Sequence, residues 1–226
     1  MRDSRMGNRR AFLRTAGVAA LGAVGAVSLA ACGDESDSAA TNEDDNLGFA
    51  GTVLGYPLAR PSAAFVDTSG APFNVATETA GKLTLMLFGY TSCPDVCPVH
   101  LNVLAGTLED LHGREARTKV IFVGVDTKRD TPEAMRTYLD QRSPDFIGLT
   151  AAPDVIDEAL KQLMLPSVII GEPRADGSYV VEHPSQILAF TPDDLCHIVY
   201  PFGVRENEWR TDLPRLLDYD WPDTTR

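Results

Sequence analysis

Cysteine, histidine and basic residues are all scarce in this sequence of 226 residues. Four cysteines are too few to build a disulfide scaffold, so most of the stability has to come from a packed core. A composition of 44% hydrophobic and 23% charged residues can supply one. Lys and Arg number 20 against 32 Asp and Glu, a formal charge of −12. That balance excludes a general nucleic-acid binder, which needs a basic face to replace the counterions on phosphates. No internal repeat is present, and the length permits one domain of ordinary size or at most two small ones. The four thiols still suffice for a two-thiol site, with two more to account for.

What charge there is lies unevenly. Residues 1–31 hold five arginines and a single acid, so the remainder keeps 15 basic and 31 acidic residues, a formal −16. Asn8-Arg9-Arg10-Ala11-Phe12-Leu13 resembles a twin-arginine export signal. The uncharged run Thr15–Ala31 is long enough for the apolar part of such a signal, and Gly17, Gly22 and Gly25 make it less apolar than a stable membrane span. An uncleaved anchor is the competing reading. Leu29-Ala30-Ala31-Cys32 resembles a lipobox, whose cysteine is acylated and becomes the new N-terminus. Acyl chains attached there would hold the protein to a membrane without a spanning helix. The expected organisation is a signal peptide at 1–31, an acidic solvated tether at 32–46 and a folded domain at 47–226. The expected location is the extracytoplasmic face of the cell membrane.

Within that domain, strand and helix patterns alternate. Ser62–Ala76 reads as a hairpin turning at Thr68-Ser69-Gly70. Lys82–Tyr90 and Lys119–Val125 are continuous apolar runs, as for strands covered on both faces. Leu101, Leu104, Leu108 and Leu111 recur at helical spacing within Val99–Leu111. Helices are also expected from Thr131-Pro132 to about Gln141, over Pro153–Leu163 and over about Glu206–Leu217, with short strands at Phe146–Thr150, Ser178–Glu182, Gln186–Phe190 and Cys196–Tyr200. This order fits an α/β, thioredoxin-like fold: a central mixed sheet flanked by helices, with an N-terminal β-hairpin. The tail after Tyr219 is expected to be loose.

Cys93 and Cys97 stand where a buried strand meets a helix start. In a first helical turn, a four-residue step rises about 6 Å, which leaves two thiols within reach of one disulfide or one shared metal ion. Unpaired N–H groups at a helix start lower a thiol pKa. Two thiolates offered in this way suit either reversible oxidation or a soft cation.

Three segments carry a family resemblance. Phe88-Gly89-Tyr90-Thr91-Ser92-Cys93-Pro94-Asp95-Val96-Cys97-Pro98 resembles the first signature of the Sco/SenC family. Val125-Asp126-Thr127-Lys128-Arg129-Asp130-Thr131-Pro132 is similar to its second, and Tyr179-Val180-Val181-Glu182-His183-Pro184-Ser185-Gln186-Ile187 to its third. The resemblance implies a thioredoxin-fold copper protein serving assembly of the copper centre of cytochrome c oxidase, with copper held by Cys93, Cys97 and His183. It implies a metallochaperone more than an enzyme. The rival reading is a thiol-disulfide oxidoreductase working on the cysteines of the oxidase or of another exported protein, and a copper- or redox-sensing module is a third. Asp126 would either orient a ligand or cap the following helix. A monomer is expected, with the oxidase copper-site subunit or another copper or thiol protein as partner.

Several residues remain. Pro184 stands where the family carries a small hydroxyl residue, and Glu182 beside the histidine could raise its basicity. Cys196 reads as a buried, inert thiol, with His197 on the opposite strand face. His100, three residues after Cys97, reads as a solvated polar group or an aid to copper capture, and His112 as a helix-end residue.

Overall fold

The computed structural model describes residues 46–111 and 117–222. The export signal, the lipid site at Cys32, the acidic tether up to residue 45 and His112 lie outside the described residues.

Among the described residues fifteen elements follow in chain order. They are β1 (Thr52–Ala59), β2 (Phe65–Asp67), β3 (Pro72–Phe73), α1 (Val75–Glu78), β4 (Leu83–Gly89), α2 (Val96–Asp110), β5 (Thr118–Gly124) and α3 (Pro132–Asp140). After them come β6 (Ile147–Thr150), α4 (Pro153–Gln162), β7 (Ile169–Ile170), β8 (Val181–Glu182), β9 (Ile187–Phe190), β10 (Leu195–Tyr200) and α5 (Glu206–Asp218). Eight strands form one mixed sheet in the order β1-β10-β9-β4-β5-β6-β2-β3. β4, β5 and β6 are parallel, β9 and β10 run antiparallel beside β4, and β2 runs antiparallel to β6. The parallel steps are bridged by α2 and α3, as parallel strands require.

Burial explains the apolar runs. Every residue of β4 is buried, and alternate side chains point to opposite faces, so both faces of the sheet are covered. Trp209 of α5 and Tyr200 of β10 pack with ring centroids 4.2 Å apart and join Phe65, Phe88, Phe122 and Phe190 among the fully buried side chains. Thr131 caps α3 by accepting from the Ala134 N–H at 3.2 Å, with Pro132 in the first turn, where its missing N–H costs nothing. Capping this helix is therefore the task of Thr131 rather than of Asp126.

Three departures from the sequence reading have physical causes. Strand β1 lies in a stretch for which the sequence reading assigns no element, and Gly55 and Pro57 interrupt it. It pairs with β10 only at the sheet edge, across a register shift between Val53 and Leu58, and an edge is where a strand tolerates proline. Ser178–Glu182 narrows to the two residues of β8, which pairs with β7 in a separate two-stranded ladder. The tail is docked rather than loose through Trp221, whose ring stacks on His197 at 4.2 Å and packs on Tyr219 and Phe49. Among the described residues, no helix is long and apolar enough to cross a membrane.

Candidate metal centre

The centre forms where β4 ends. The Val125 N–H donates to the Gly89 carbonyl at 2.8 Å, which carries the β4–β5 pairing one step beyond the strands and lays the loop 125–131 beside the loop 90–95. Asp130 ties the two loops together. Its Oδ1 accepts from the N–H and hydroxyl of Thr91, at 2.9 and 2.7 Å, and its Oδ2 accepts from the Asp126 N–H at 3.0 Å. Burial raises the Asp130 pKa, opposed by these donors. Cys93 sits in a turn closed by its N–H donating to the Tyr90 carbonyl at 3.0 Å. Cys97 is the second residue of α2, and the first turn of that helix carries no acid. Its sulfur lies so close to the strand that a Cβ on Gly89 would stand 2.5 Å from Cys97 Sγ and 2.8 Å from the Phe122 ring. Only glycine leaves the sulfur its place.

The third donor arrives from far along the chain. His183 directly follows β8, and its Nε2 lies 4.0 Å from Cys93 Sγ and 3.8 Å from Cys97 Sγ. Its Nδ1 donates to the Pro184 carbonyl at 2.8 Å. That bond settles the tautomer: Nδ1 carries the proton, and Nε2 presents its lone pair towards both sulfurs. Glu182, read from the sequence as a partner for this ring, is exposed, and the Pro184 carbonyl takes that place. The three donor atoms lie within 4.8 Å of one another. Imidazole and thiolate bonds of about 2.0 and 2.3 Å to one shared ion would be compatible with donors about 4 Å apart. The observed spacing fits.

The two thiols are unequal. A hydrogen bond from the Cys97 thiol is the main cause that lowers Cys93 to about 4, against the effect of burial, and backbone N–H groups add to it. Cys97, as the donor and the more deeply buried of the two, is pushed up. At neutral pH the pair therefore holds one proton and one negative charge. Two thiolates and a neutral imidazole form a soft, low-coordinate donor set suited to copper.

Asp126, 1% exposed, touches none of the three donors directly. Its Oδ2 accepts from Arg129 Nε, and its Oδ1 accepts from the Tyr179 hydroxyl at 3.0 Å. The Arg129 guanidinium lies over the Tyr179 ring at 3.9 Å and near the Tyr90 ring at 5.7 Å. Tyr90 in turn meets the His183 ring edge-on at 5.5 Å. Sequence reasoning missed Tyr90, Thr91, Asp130 and Tyr179 as supporting residues, although all four fall inside the quoted signatures. Tertiary proximity alone shows what they touch.

His100 is buried, 4% exposed, and not solvated as expected: the side of α2 that bears it faces the loop after His183, and its Nε2 donates to the Ser185 carbonyl at 2.8 Å. Cys196 is a core thiol on β10, two strands from β4 in the sheet, pushed up to about 12 by burial. His197 lies beneath Trp221 with Nε2 2.7 Å from Asp193 Oδ2.

A sheet flanked by helices, and a dithiol at a strand–helix junction joined by one histidine, define a thioredoxin-like domain with three donors grouped so that they could hold a metal ion. The chain belongs to the SCO1/SenC family, whose model matches residues 60–218. It is 34% identical over 120 residues to an SCO2-like protein of Rickettsia prowazekii, a match covering 53% of this chain and 58% of that one. The matched part thus spans little more than half the length of that relative. The fold is similar to that of ScoI from Bradyrhizobium japonicum with copper bound, at 31% identity and a TM-score of 0.60, covering 71% of this chain and 99% of that one. It is also similar to apo Sco1 from Thermus thermophilus, at 29% identity and a TM-score of 0.63, covering 75% and 97%.

Proposed function

We propose that this protein binds one copper ion through Cys93, Cys97 and His183 and delivers it to, or prepares the thiols of, the copper site of cytochrome c oxidase. It does so tethered by a lipidated Cys32 to the extracytoplasmic face of the membrane. The observation that carries the reading is the His183 ring, whose Nε2 lone pair is aimed at both sulfurs while Nδ1 is committed to a carbonyl. A disulfide exchanger has no need of such a donor. The copper-bound relative from Bradyrhizobium japonicum, similar over nearly its whole length, supports the choice of metal. Each ligand has a distinct part. Cys93 offers a ready thiolate, Cys97 gives up a proton on binding, and His183 completes the set.

The second reading, a thiol-disulfide oxidoreductase, rests on the same inequality of the thiols: a lowered Cys93 beside a protonated Cys97 is also an attacking and resolving pair. Anaerobic titration of the reduced full chain with Cu(I), against a competing chelator, separates the two. The copper reading predicts a one-to-one complex that His183→Ala weakens by more than the about 10–100-fold typical of losing a residue behind the ligands. An equal affinity in both proteins, with disulfide exchange intact, is the result expected of a reductase.

A further inference from the structure

The hairpin that delivers His183 is not part of the main sheet. Its ladder, β7 with β8, stands apart from the eight strands. Beyond the ladder the backbone bonds of the hairpin run within it: Gly171 N–H donates to the Val180 carbonyl at 2.9 Å, Arg174 N–H to the Ser178 carbonyl at 2.7 Å, and the turn closes at Gly177. Ile169, Ile170 and Val180 are exposed, and of the ladder residues only Val181 is buried in the core, so a single apolar side chain of the ladder holds the hairpin down. Sheet hydrogen bonding therefore does not decide where His183 sits. Something else must.

Tyr179 supplies the connection. It lies four residues before His183 on the return arm, and its hydroxyl reaches back to Asp126 at the end of β5. Asp126 is fixed there by Arg129, and the Arg129 guanidinium lies flat on the Tyr179 ring. Arg129 Nη2 is shielded from solvent with no hydrogen-bond partner, so the two tyrosine rings and Asp126 hold the charge. On the other side Tyr90 meets the His183 ring edge-on. The hydroxyl of Tyr179 and the cation on its ring thus join the hairpin to the body of the protein.

We propose that Tyr179, Asp126 and Arg129 form a latch that clamps the 169–182 hairpin to the end of β5 and thereby sets His183 over the cysteine pair. They are positioning residues and not ligands. Releasing the latch lets the hairpin carry His183 away from the sulfurs, so its strength governs how firmly a three-donor metal is retained. This last consequence rests on the copper reading above, whereas the clamp itself does not.

The test uses the full chain as wild type, Tyr179→Phe and Asp126→Asn, with His183→Ala as the ligand control. Tyr179→Phe removes only the hydroxyl and keeps the ring beneath Arg129, so the fold is preserved. In metal-free protein, amide hydrogen exchange over residues 179–183 is expected to quicken about tenfold in Tyr179→Phe, the factor equivalent to about 1.4 kcal/mol for one charge-assisted hydrogen bond. The amides of β4 and β5 keep their wild-type rates. In the Cu(I)-loaded protein, transfer to a chelator quickens by a similar factor, and the nitrogen contribution to the copper X-ray absorption spectrum weakens. A residue that merely stabilised the fold would move neither. Wild-type exchange over 179–183 in both variants would overturn the latch, even where His183→Ala loses copper and so upholds the metal reading. Faster exchange with unchanged copper retention and ligand count would equally overturn it as the device that seats His183. Faster exchange in a protein that never holds copper would uphold the clamp and overturn the metal reading instead.

Discussion

At neutral pH the Cys93–Cys97 pair holds a single proton, and a metal that binds both sulfurs must displace it. The proton belongs to Cys97, the buried partner, while Cys93 stands ready as thiolate. A further titration, at His100, bears on stability. Burial is the main cause that lowers its pKa below 6.5, only partly offset by the Ser185 carbonyl. The folded protein therefore keeps His100 neutral where the unfolded chain would take up a proton. Stability is intact above pH 6.5 and is lost as pH falls from that value towards the lower folded pKa. His100→Gln, which can still donate to the Ser185 carbonyl, is expected to flatten this fall. Urea denaturation at pH 7.5 and 5.5 measures it, and an unchanged pH difference in the variant would count against a buried neutral imidazole.

At the scale of elements, the close approach of β4 and α2 determines where the second sulfur lies. Gly89 ends the strand, and the place its Cβ would take is already filled by Cys97 Sγ and Phe122. Gly89→Ala is expected to cost about 1–3 kcal/mol through overpacking, a fall of several degrees in Tm for a chain of this size. Copper affinity should fall with it, because the strain is applied to a ligand. Calorimetry and the chelator titration check the two parts separately. The strands and helices around this junction were legible in the sequence because their signals are local: β4 and β5 are unbroken apolar runs buried on both faces, and Pro132 after Thr131 marks a helix start. β1 was not legible, because the edge that accommodates Pro57 exists only once β10 lies beside it. The β7–β8 hairpin was half legible, since its two-residue strands carry too little periodicity to be read.

For the described domain as a whole, its first and last segments are brought together by aromatic packing. Phe49, before the first strand, meets Tyr219 and Trp221, after the last helix, and Arg215 lies over the Phe49 ring at 3.9 Å while donating to the Leu47 and Gly48 carbonyls. Asp212 accepts from the Ala50 N–H at 2.8 Å and from the Tyr200 hydroxyl at 3.0 Å, which joins the same entry segment to α5 and β10. Trp221→Ala is therefore expected to lower stability by about 1–2 kcal/mol, through lost ring contacts and an uncovered His197. Denaturant unfolding measures the loss. Copper affinity should stay at the wild-type value, since the tail packs on the β1–β10 edge, away from the dithiol.

By itself the sequence determined the class of fold and singled out the thiol pair and the histidine proposed as ligands. Alternating strand and helix patterns are set by short-range periodicity, and Cys93, Cys97 and His183 lie in segments whose wording is recognisable on its own. Only the tertiary structure decided how those ligands are held. Asp126 turned out to grip Tyr179, His100 to be buried against the Ser185 carbonyl, and the tail to cover His197, because each depends on partners 53, 85 and 24 residues away. A chain specifies such contacts through the packing of many elements at once, and no local pattern records them. The opening scarcity keeps its meaning at both levels: of four cysteines and four histidines, folding brings two and one to a single point.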